Sequence, residues 1–137
     1  MGSDKIWLFD TTLRDGGQTR GVDFSRADKV AIAHALDDIG IDYIEAGWPG
    51  ANPTDDAFFA KPPKMKNAKL VSFGMTRRGG RSTANDPGLN AVIDAEVDAS
   101  CLVGKTWDFH VKTALNATLD ENLEMIRQSL IAAADRG

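Results

Sequence analysis

One cysteine, Cys101, stands among 137 residues. That excludes an internal disulfide and leaves no cysteine cluster for a structural zinc. Long apolar runs are missing too, since none approaches the roughly 18 residues a membrane span needs. The opening Met1-Gly2-Ser3-Asp4-Lys5 has no apolar stretch behind a basic head, so neither export nor membrane insertion is expected. Met1-Gly2-Ser3 reads partly as a cloning remnant, and Ile6 stands where a myristoylation signal wants Ser or Thr. A basic excess is also lacking. With 16 Lys and Arg against 20 Asp and Glu the net charge is −4, which speaks against a nucleic-acid groove or an anionic membrane as main partner. A reducing cytoplasm is the expected setting. No Gly-x-Ser-x-Gly elbow, motif-placed Cys–His pair or P-loop occurs, so covalent-nucleophile mechanisms have nothing to rest on.

What is present is ordinary for a globular domain, with 42% hydrophobic and 26% charged residues. Four short apolar runs, Ile6–Asp10, Ile41–Ala46, Leu70–Gly74 and Ser100–Thr106, recur about once per βα unit of roughly 30 residues. They are nearly continuous rather than alternating, as strands covered on both faces are. Helical segments lie between them. Ser25-Arg-Ala-Asp28 is a capping-box pattern ahead of Val30, Ala31, Ala35 and Ile39, and Gly40 stops that helix. Asn52-Pro53 opens a short helix through Phe58 and Phe59 that Pro62-Pro63 ends, and Asp86-Pro87 opens another with Leu89, Val92 and Ile93. Thr118 caps the last, where Leu123, Ile126, Leu130 and Ala134 fall at helical spacing. Strand–helix alternation without hairpin signals predicts a parallel α/β sheet. It fits an open doubly wound sheet or four of the eight units of a barrel, and periodicity does not separate the two.

In either fold, ligands sit at the carboxyl ends of the strands. The basic stretch Lys61, Lys64, Lys66 and Lys69 leads into a strand, which places it on the opposite face as a solvated loop. After the first strand comes Asp10-Thr-Thr-Leu-Arg14-Asp15-Gly16-Gly17-Gln18. This is either a turn with a surface ion pair, or a site in which Asp15 offers a hard oxygen to a divalent ion and Arg14 a cationic fork to a carboxylate or oxyanion. After the second strand, Glu45 ends an apolar run, where a carboxylate needs a partner. Arg14 is the nearest candidate, whether the pair is structural or touches substrate. Arg77, Arg78 and Arg81 follow the third strand, either solvated or set for phosphates. His110, after the fourth, could polarise a carbonyl or simply pack. His34, in mid-helix, is structural.

The stretch Phe9-Asp-Thr-Thr-Leu-Arg-Asp-Gly-Gly-Gln18 resembles the opening strand and loop of the 2-isopropylmalate, homocitrate and citramalate synthases, a family shared with hydroxymethylglutaryl-CoA lyase. Tyr43-Ile-Glu-Ala-Gly-Trp-Pro-Gly-Ala-Asn-Pro-Thr-Asp55, Phe73-Gly-Met-Thr-Arg-Arg78 and Val103-Gly-Lys-Thr-Trp-Asp-Phe-His110 are similar to the citramalate synthase branch in particular. The resemblance runs over essentially the whole chain. It implies residues 1–137 as the N-terminal half of a (β/α)₈ TIM barrel, four parallel βα units. It also implies a metal-dependent Claisen condensation of acetyl-CoA with a 2-oxo acid, pyruvate in this branch. The 2-oxo acid chelates a divalent cation, magnesium, manganese or zinc, which acts as Lewis acid and binds Asp15. Arg14 then meets the keto oxygen, Gln18 lines the site, and Glu45 lies near that arginine. Phe73, Met75 and His110 shape the pocket for the acid's side chain.

The family's two metal-binding histidines, a His-x-His pair, belong to a later strand and do not occur before Gly137. Neither do the lid and the C-terminal region that dimerises and senses end product. The expectation is therefore a fragment without turnover, because Asp15 alone does not hold a catalytic metal. A half barrel also leaves two sheet edges and an apolar face open, so self-association is expected. The rival within the class is 2-isopropylmalate or homocitrate synthase. From outside it come a non-catalytic half-barrel module and a phosphate binder built on Arg77, Arg78 and Arg81.

Overall fold

The computed structural model describes residues 4–136, so the Met1-Gly2-Ser3 start lies outside the described residues. In chain order the elements are β1 (Phe9–Asp10), α1 (Arg26–Asp38), β2 (Tyr43–Gly47), α2 (Pro53–Phe59), β3 (Lys69–Met75), α3 (Pro87–Ile93), β4 (Ala99–Val103), α4 (Asp108–Ala114) and α5 (Leu119–Ala134). All strand pairs are parallel, and the sheet order is β1-β2-β3-β4. That order carries information the periodicity lacked. A doubly wound sheet reverses its order at a switch point, whereas a barrel adds each strand beside the last. No reversal occurs here.

Each of the four expected helix starts is capped by the residue that signals it. Ser25 closes a capping box with Asp28, and the side chains of Asn52, Asp86 and Thr118 accept from Asp55, Leu89 and Glu121 N–H. Such caps contribute about 1 kcal/mol each. At the far end of α1, the buried Asp37 carboxylate accepts from the backbone N–H groups of Lys66, Asn67 and Ala68 at 2.6, 2.9 and 2.8 Å. This clasp fixes the turn into β3. Burial works to raise the Asp37 pKa, but those three donors win and hold it below the usual carboxylate range.

The helices pack on one face of the sheet. Ile44, Ala46 and Leu70 meet Ala33 and Phe58 of α1 and α2, and Leu102 meets Leu89, Ile93 and Ala132 of α3 and α5. Strand alternation then turns Phe9, Tyr43, Glu45, Phe73 and Cys101 to the other, concave face. Phe9 stacks on Tyr43 there. No helix among the described residues is long and apolar enough to cross a membrane.

Three expectations are corrected. The first strand was expected over Ile6–Asp10, but only Phe9–Asp10 forms a ladder. It has a neighbour on one side alone, and Ile6, Trp7 and Leu8 stay exposed. The stretch around His110, given no helix by the sequence pattern, forms the helix α4. The face of α5 is also rotated from the expected one: Asn122, Met125, Ser129 and Ala132 are buried, while Leu123 and Leu130 are exposed. Hydrogen bonds explain the inversion. Ser129 Oγ accepts from Arg77 N–H at 2.8 Å, and Asn122 Nδ2 donates to the Lys105 carbonyl at 2.8 Å.

Candidate functional site

Arg14 follows β1, and Glu45 sits within β2 on the concave face. The fold brings them together as the sequence suggested. Arg14 Nε donates to Glu45 Oε2 at 2.7 Å, and Nη1 donates to Asp15 Oδ1 at 3.0 Å. The Arg14 guanidinium lies 4.0 Å over the Phe73 ring, a cation–π contact that also fixes its plane. Glu45 is buried at 2% exposure while Asp15 is 60% exposed. The pair therefore runs from the sheet interior to the rim. Neither contact uses Nη2, which leaves a charged donor available beside an open cleft.

The cleft holds about 220 Å³. Arg14 and Gln18 form one wall; Trp48, Asn52 and Thr54 form another. The loop between β1 and α1 reaches the cleft through a 3-10 turn at Gly16–Gln18, which presents Gln18 at its end. The opposite loop is held by a buried ion pair. Lys29, at 4% exposure, donates to the Ala46 carbonyl at 2.9 Å and pairs with Asp55. Asp55 also accepts from Trp48 N–H at 2.9 Å and from Asn52 Nδ2 at 3.0 Å. Gly47 makes this possible, because a Cβ there would lie 2.6 Å from the Asp55 carboxylate. Trp48 so placed meets Phe73 edge-on at 5.4 Å. Lys29 and Asp55 thus support Trp48, which packs on the ring under Arg14.

Lys29, Asp55 and Trp48 were missed as site residues. Nothing in the α1 pattern separates Lys29 from a solvated lysine, although Asp55 is flagged by its place one turn into an Asn-capped helix beside Gly47. Cys101 was also missed. It pairs in register with Phe73. Burial pushes its thiol pKa up, the neighbouring Glu45 carboxylate pushes it further, and Arg14 acts against both. A thiol kept protonated in this way is not a nucleophile.

The remaining candidates stand apart from this cluster. Met75 ends β3 opposite Val103, half-buried. His110 is exposed on α4, its ring edge-on to Trp107 at 4.6 Å. Arg77 is neither solvated nor free for a phosphate: it is buried and bonded to Gln128 and Glu121 of α5 at 2.7 and 2.9 Å. Arg78 and Arg81 are exposed, as are Lys61, Lys64, Lys66 and Lys69 on the opposite side of the sheet.

A divalent cation is not held by these residues alone. No three His, Cys, Asp or Glu side chains converge on one point among the described residues. Asp15 supplies one exposed carboxylate, already engaged by Arg14. A hard cation takes about six oxygen ligands, so this donor set does not fit a resident metal without ligands from elsewhere.

A family profile described as HMGL-like matches residues 5–137. The chain is 52% identical over 130 residues to an (R)-citramalate synthase of Aquifex aeolicus, covering 93% of this chain and 25% of that protein. It is 53% identical over 127 residues to one of Geobacter sulfurreducens, covering 91% and 24%. A homocitrate synthase AksA of Methanopyrus kandleri is 35% identical over 135 residues, with 98% and 32% covered. The chain spans about a quarter of the length of the (R)-citramalate synthases it matches. Among solved structures, the HMG-CoA lyase of Bacillus subtilis superposes with a TM-score of 0.70 at 18% identity, covering 96% of this chain and 43% of the lyase. The hydroxymethylglutaryl-CoA lyase of Pseudomonas aeruginosa gives 0.71 at 20% identity, with the same shares covered. These likenesses carry the fold, four parallel βα units of a TIM barrel.

Proposed function

We propose that this chain, which belongs to the HMGL-like family, is the oxo-acid-binding half of a catalytic barrel of the citramalate synthase type. Its reaction class is the condensation of acetyl-CoA with pyruvate in amino-acid biosynthesis, in the cytoplasm. The observation that carries the reading is the Arg14 guanidinium, locked by Glu45 and Asp15 over Phe73, with Nη2 unengaged at the mouth of a cleft. A fork held in this way is preorganised for a carboxylate or for an oxygen gaining negative charge, and needs no reorganisation when the charge develops. Identity above 50% to two (R)-citramalate synthases supports the choice of branch.

The roles follow from the contacts. Arg14 binds the keto oxygen of the 2-oxo acid and stabilises it as it becomes an alkoxide. Glu45 acts through Arg14, fixing its plane from inside the sheet; it is a positioning residue. Gln18 and Trp48 bound the space beside the acid, and Phe73 supports the guanidinium. Met75 and His110 are the outermost candidates for contacts with the acid's side chain. Asp15 would offer its carboxylate to a divalent ion, which needs more ligands than the described residues bring together. The chain by itself is accordingly expected to give no turnover.

Release of free CoA thiol from acetyl-CoA tests the proposal, with divalent metal present and pyruvate, 2-oxoisovalerate or 2-oxoglutarate supplied in turn. The 137-residue chain is assayed beside a form extended through four further βα units. Pyruvate-dependent release by the long form alone is expected. Preference for one of the larger acids would move the assignment to a 2-isopropylmalate or homocitrate synthase, to which the relatives at 33–35% identity point. No release by either folded form would sink the condensation reading and leave a binding module.

A further inference from the structure

The last residues of β2 leave the regular ladder. Glu45 stands beside Val71 and Gly47 beside Ser72, so two steps on β2 match one on β3 and Ala46 is the extra residue. A bulge of this kind re-aims the side chains that follow it. Without it Trp48 would come level with Gly74; with it Trp48 comes level with Phe73, whose ring it meets edge-on at 5.4 Å. Two buried charges grip the backbone at this point. Lys29 Nζ donates to the Ala46 carbonyl, and Asp55, its ion-pair partner, accepts from Trp48 N–H, so the pair holds the chain on both sides of Gly47. Asn52 Nδ2 donates to the same Asp55 oxygen as Trp48. A buried ion pair contributes little net stability over apolar packing, and its best-attested use is to fix one geometry. β2 and β3 are also the two strands with a neighbour on each side, so the arrangement owes nothing to the open ends of the sheet.

We infer that the Ala46 bulge and the Lys29–Asp55 pair are a positioning device for Arg14, acting through Trp48 and Phe73. The Arg14 guanidinium has two supports inside the site. Glu45 holds Nε at 2.7 Å and fixes the direction of the fork. Phe73 lies 4.0 Å from the guanidinium carbon and fixes the tilt of the plane. A phenylalanine ring turns about a broad, two-fold χ2, so it is a firm support only when something blocks its rotation. Trp48 blocks it from the side. Both supports therefore trace back to the end of β2, where Glu45 precedes the bulge and Trp48 follows it. Lys29, Asp55 and Trp48 are positioning residues, which act by keeping the fork where charge develops. That role in turnover rests on the condensation reading, whereas the geometry of Arg14 does not, so either can fail alone.

The magnetic-resonance signal of the Arg14 Nε–H proton in the extended form reads this geometry without turnover. Arg14→Lys identifies the signal by removing it, and Phe73→Leu gives its position without the ring current. Trp48→Leu should move it toward the Phe73→Leu position, and Trp48→Phe, which keeps an aromatic edge, should leave most of the shift in place. Trp48→Met stands in if Trp48→Leu does not fold. Lys29→Met with Asp55→Asn removes both charges without stranding one, and should move the signal the same way. A signal that Trp48→Leu or the paired variant leaves unmoved overturns the inference. Turnover with pyruvate gives the second reading. Trp48→Leu should lower kcat about tenfold and leave KM within about twofold, because a fork aimed at developing charge matters most in the transition state. In the Arg14→Lys background the same change should cost less than about twofold, since residues that act as one unit are not additive. Equal losses in both backgrounds overturn the inference. Should the extended form turn over none of the three acids, the condensation reading fails, and the Arg14 signal alone decides whether the positioning device exists.

Discussion

Two arginines, each just beyond the end of a strand and each largely buried, are put to opposite use. Arg77, after β3, is committed to α5 and its own loop. Its backbone N–H donates to Ser129, its Nε to Gln128, and its Nη1 to Glu121 and to the Arg78 carbonyl. It rivets the sheet to α5. Arg14, after β1, is held by two carboxylates and a ring, but on one side only, and faces a cleft. The difference lies less in the arginine than in its surroundings. A helix lies across the β3 end, whereas the β1 end carries a short Gly-containing turn that stays out of the way. A buried cation surrounded by partners is structure. One whose partners leave a donor unmet beside open space is a binding group.

The sharpest way to break this comparison is to ask which substitution costs stability and which costs chemistry. The largest loss of stability is expected beside Arg14 and not at it. Asp55→Ala leaves Lys29 buried without its carboxylate and frees Trp48 N–H, a loss of about 3–5 kcal/mol for breaking one side of a buried pair. A urea denaturation midpoint measures it. If Asp55→Ala proves nearly neutral, the pair does not hold the β2–α2 loop. For chemistry, Arg14→Lys keeps the charge but removes the fork. In the extended form it should lower turnover about 10²–10³-fold, the usual cost of one lost oxyanion donor, with little change in the denaturation midpoint. Arg77→Ala should do the reverse. Losing hydrogen bonds made by a buried charged group costs roughly 1.5–3 kcal/mol, and the KM and kcat of the extended form should stay within about twofold. If both arginine variants lose turnover equally, the two regions are not functionally distinct.

The comparison also shows where the sequence was readable. The βα beat and the four caps are local signals, set by chain chemistry within a few residues, and Ser25, Asn52, Asp86 and Thr118 all act as read. The Arg14–Glu45 pair was readable because a carboxylate in an apolar strand demands a cation. Helix α4 was not. It has no capping side chain, and only Val111 of its seven residues is buried, so no periodic signal exists. The roles of Lys29 and Arg77 were hidden for another reason. Their partners lie 26 and 44 residues away, and only the packed sheet brings them together. The α5 leucines misled because their periodicity reports a face that is apolar, not one this chain itself covers.

The smallest expected effect concerns acid. The Arg77 end is rich in carboxylates held below their usual range. The Glu124 pKa is lowered to about 2, first by the Arg127 side chain and then by Gln128, and Glu121 is lowered mainly by Arg77. At Asp86, burial works to raise the pKa, but the Arg78, Leu89 and Gly88 N–H groups prevail and lower it. A carboxylate whose folded pKa lies below its unfolded value adds stability that is complete above the unfolded value. That stability is lost as pH falls through the folded one. The urea midpoint should therefore hold level near neutrality and decline from about pH 5 down to pH 2. Glu121 and Glu124 are solvent-accessible, so screening keeps their share small. Arg77→Ala removes the main cause of the Glu121 shift and a lesser one at Glu124, and should flatten the decline slightly. Arg14→Lys should leave it unchanged. A decline that flattens with Arg14→Lys and not with Arg77→Ala would mean the acid-sensitive ties lie at the cleft, and the contrast between the two arginines would have to be redrawn.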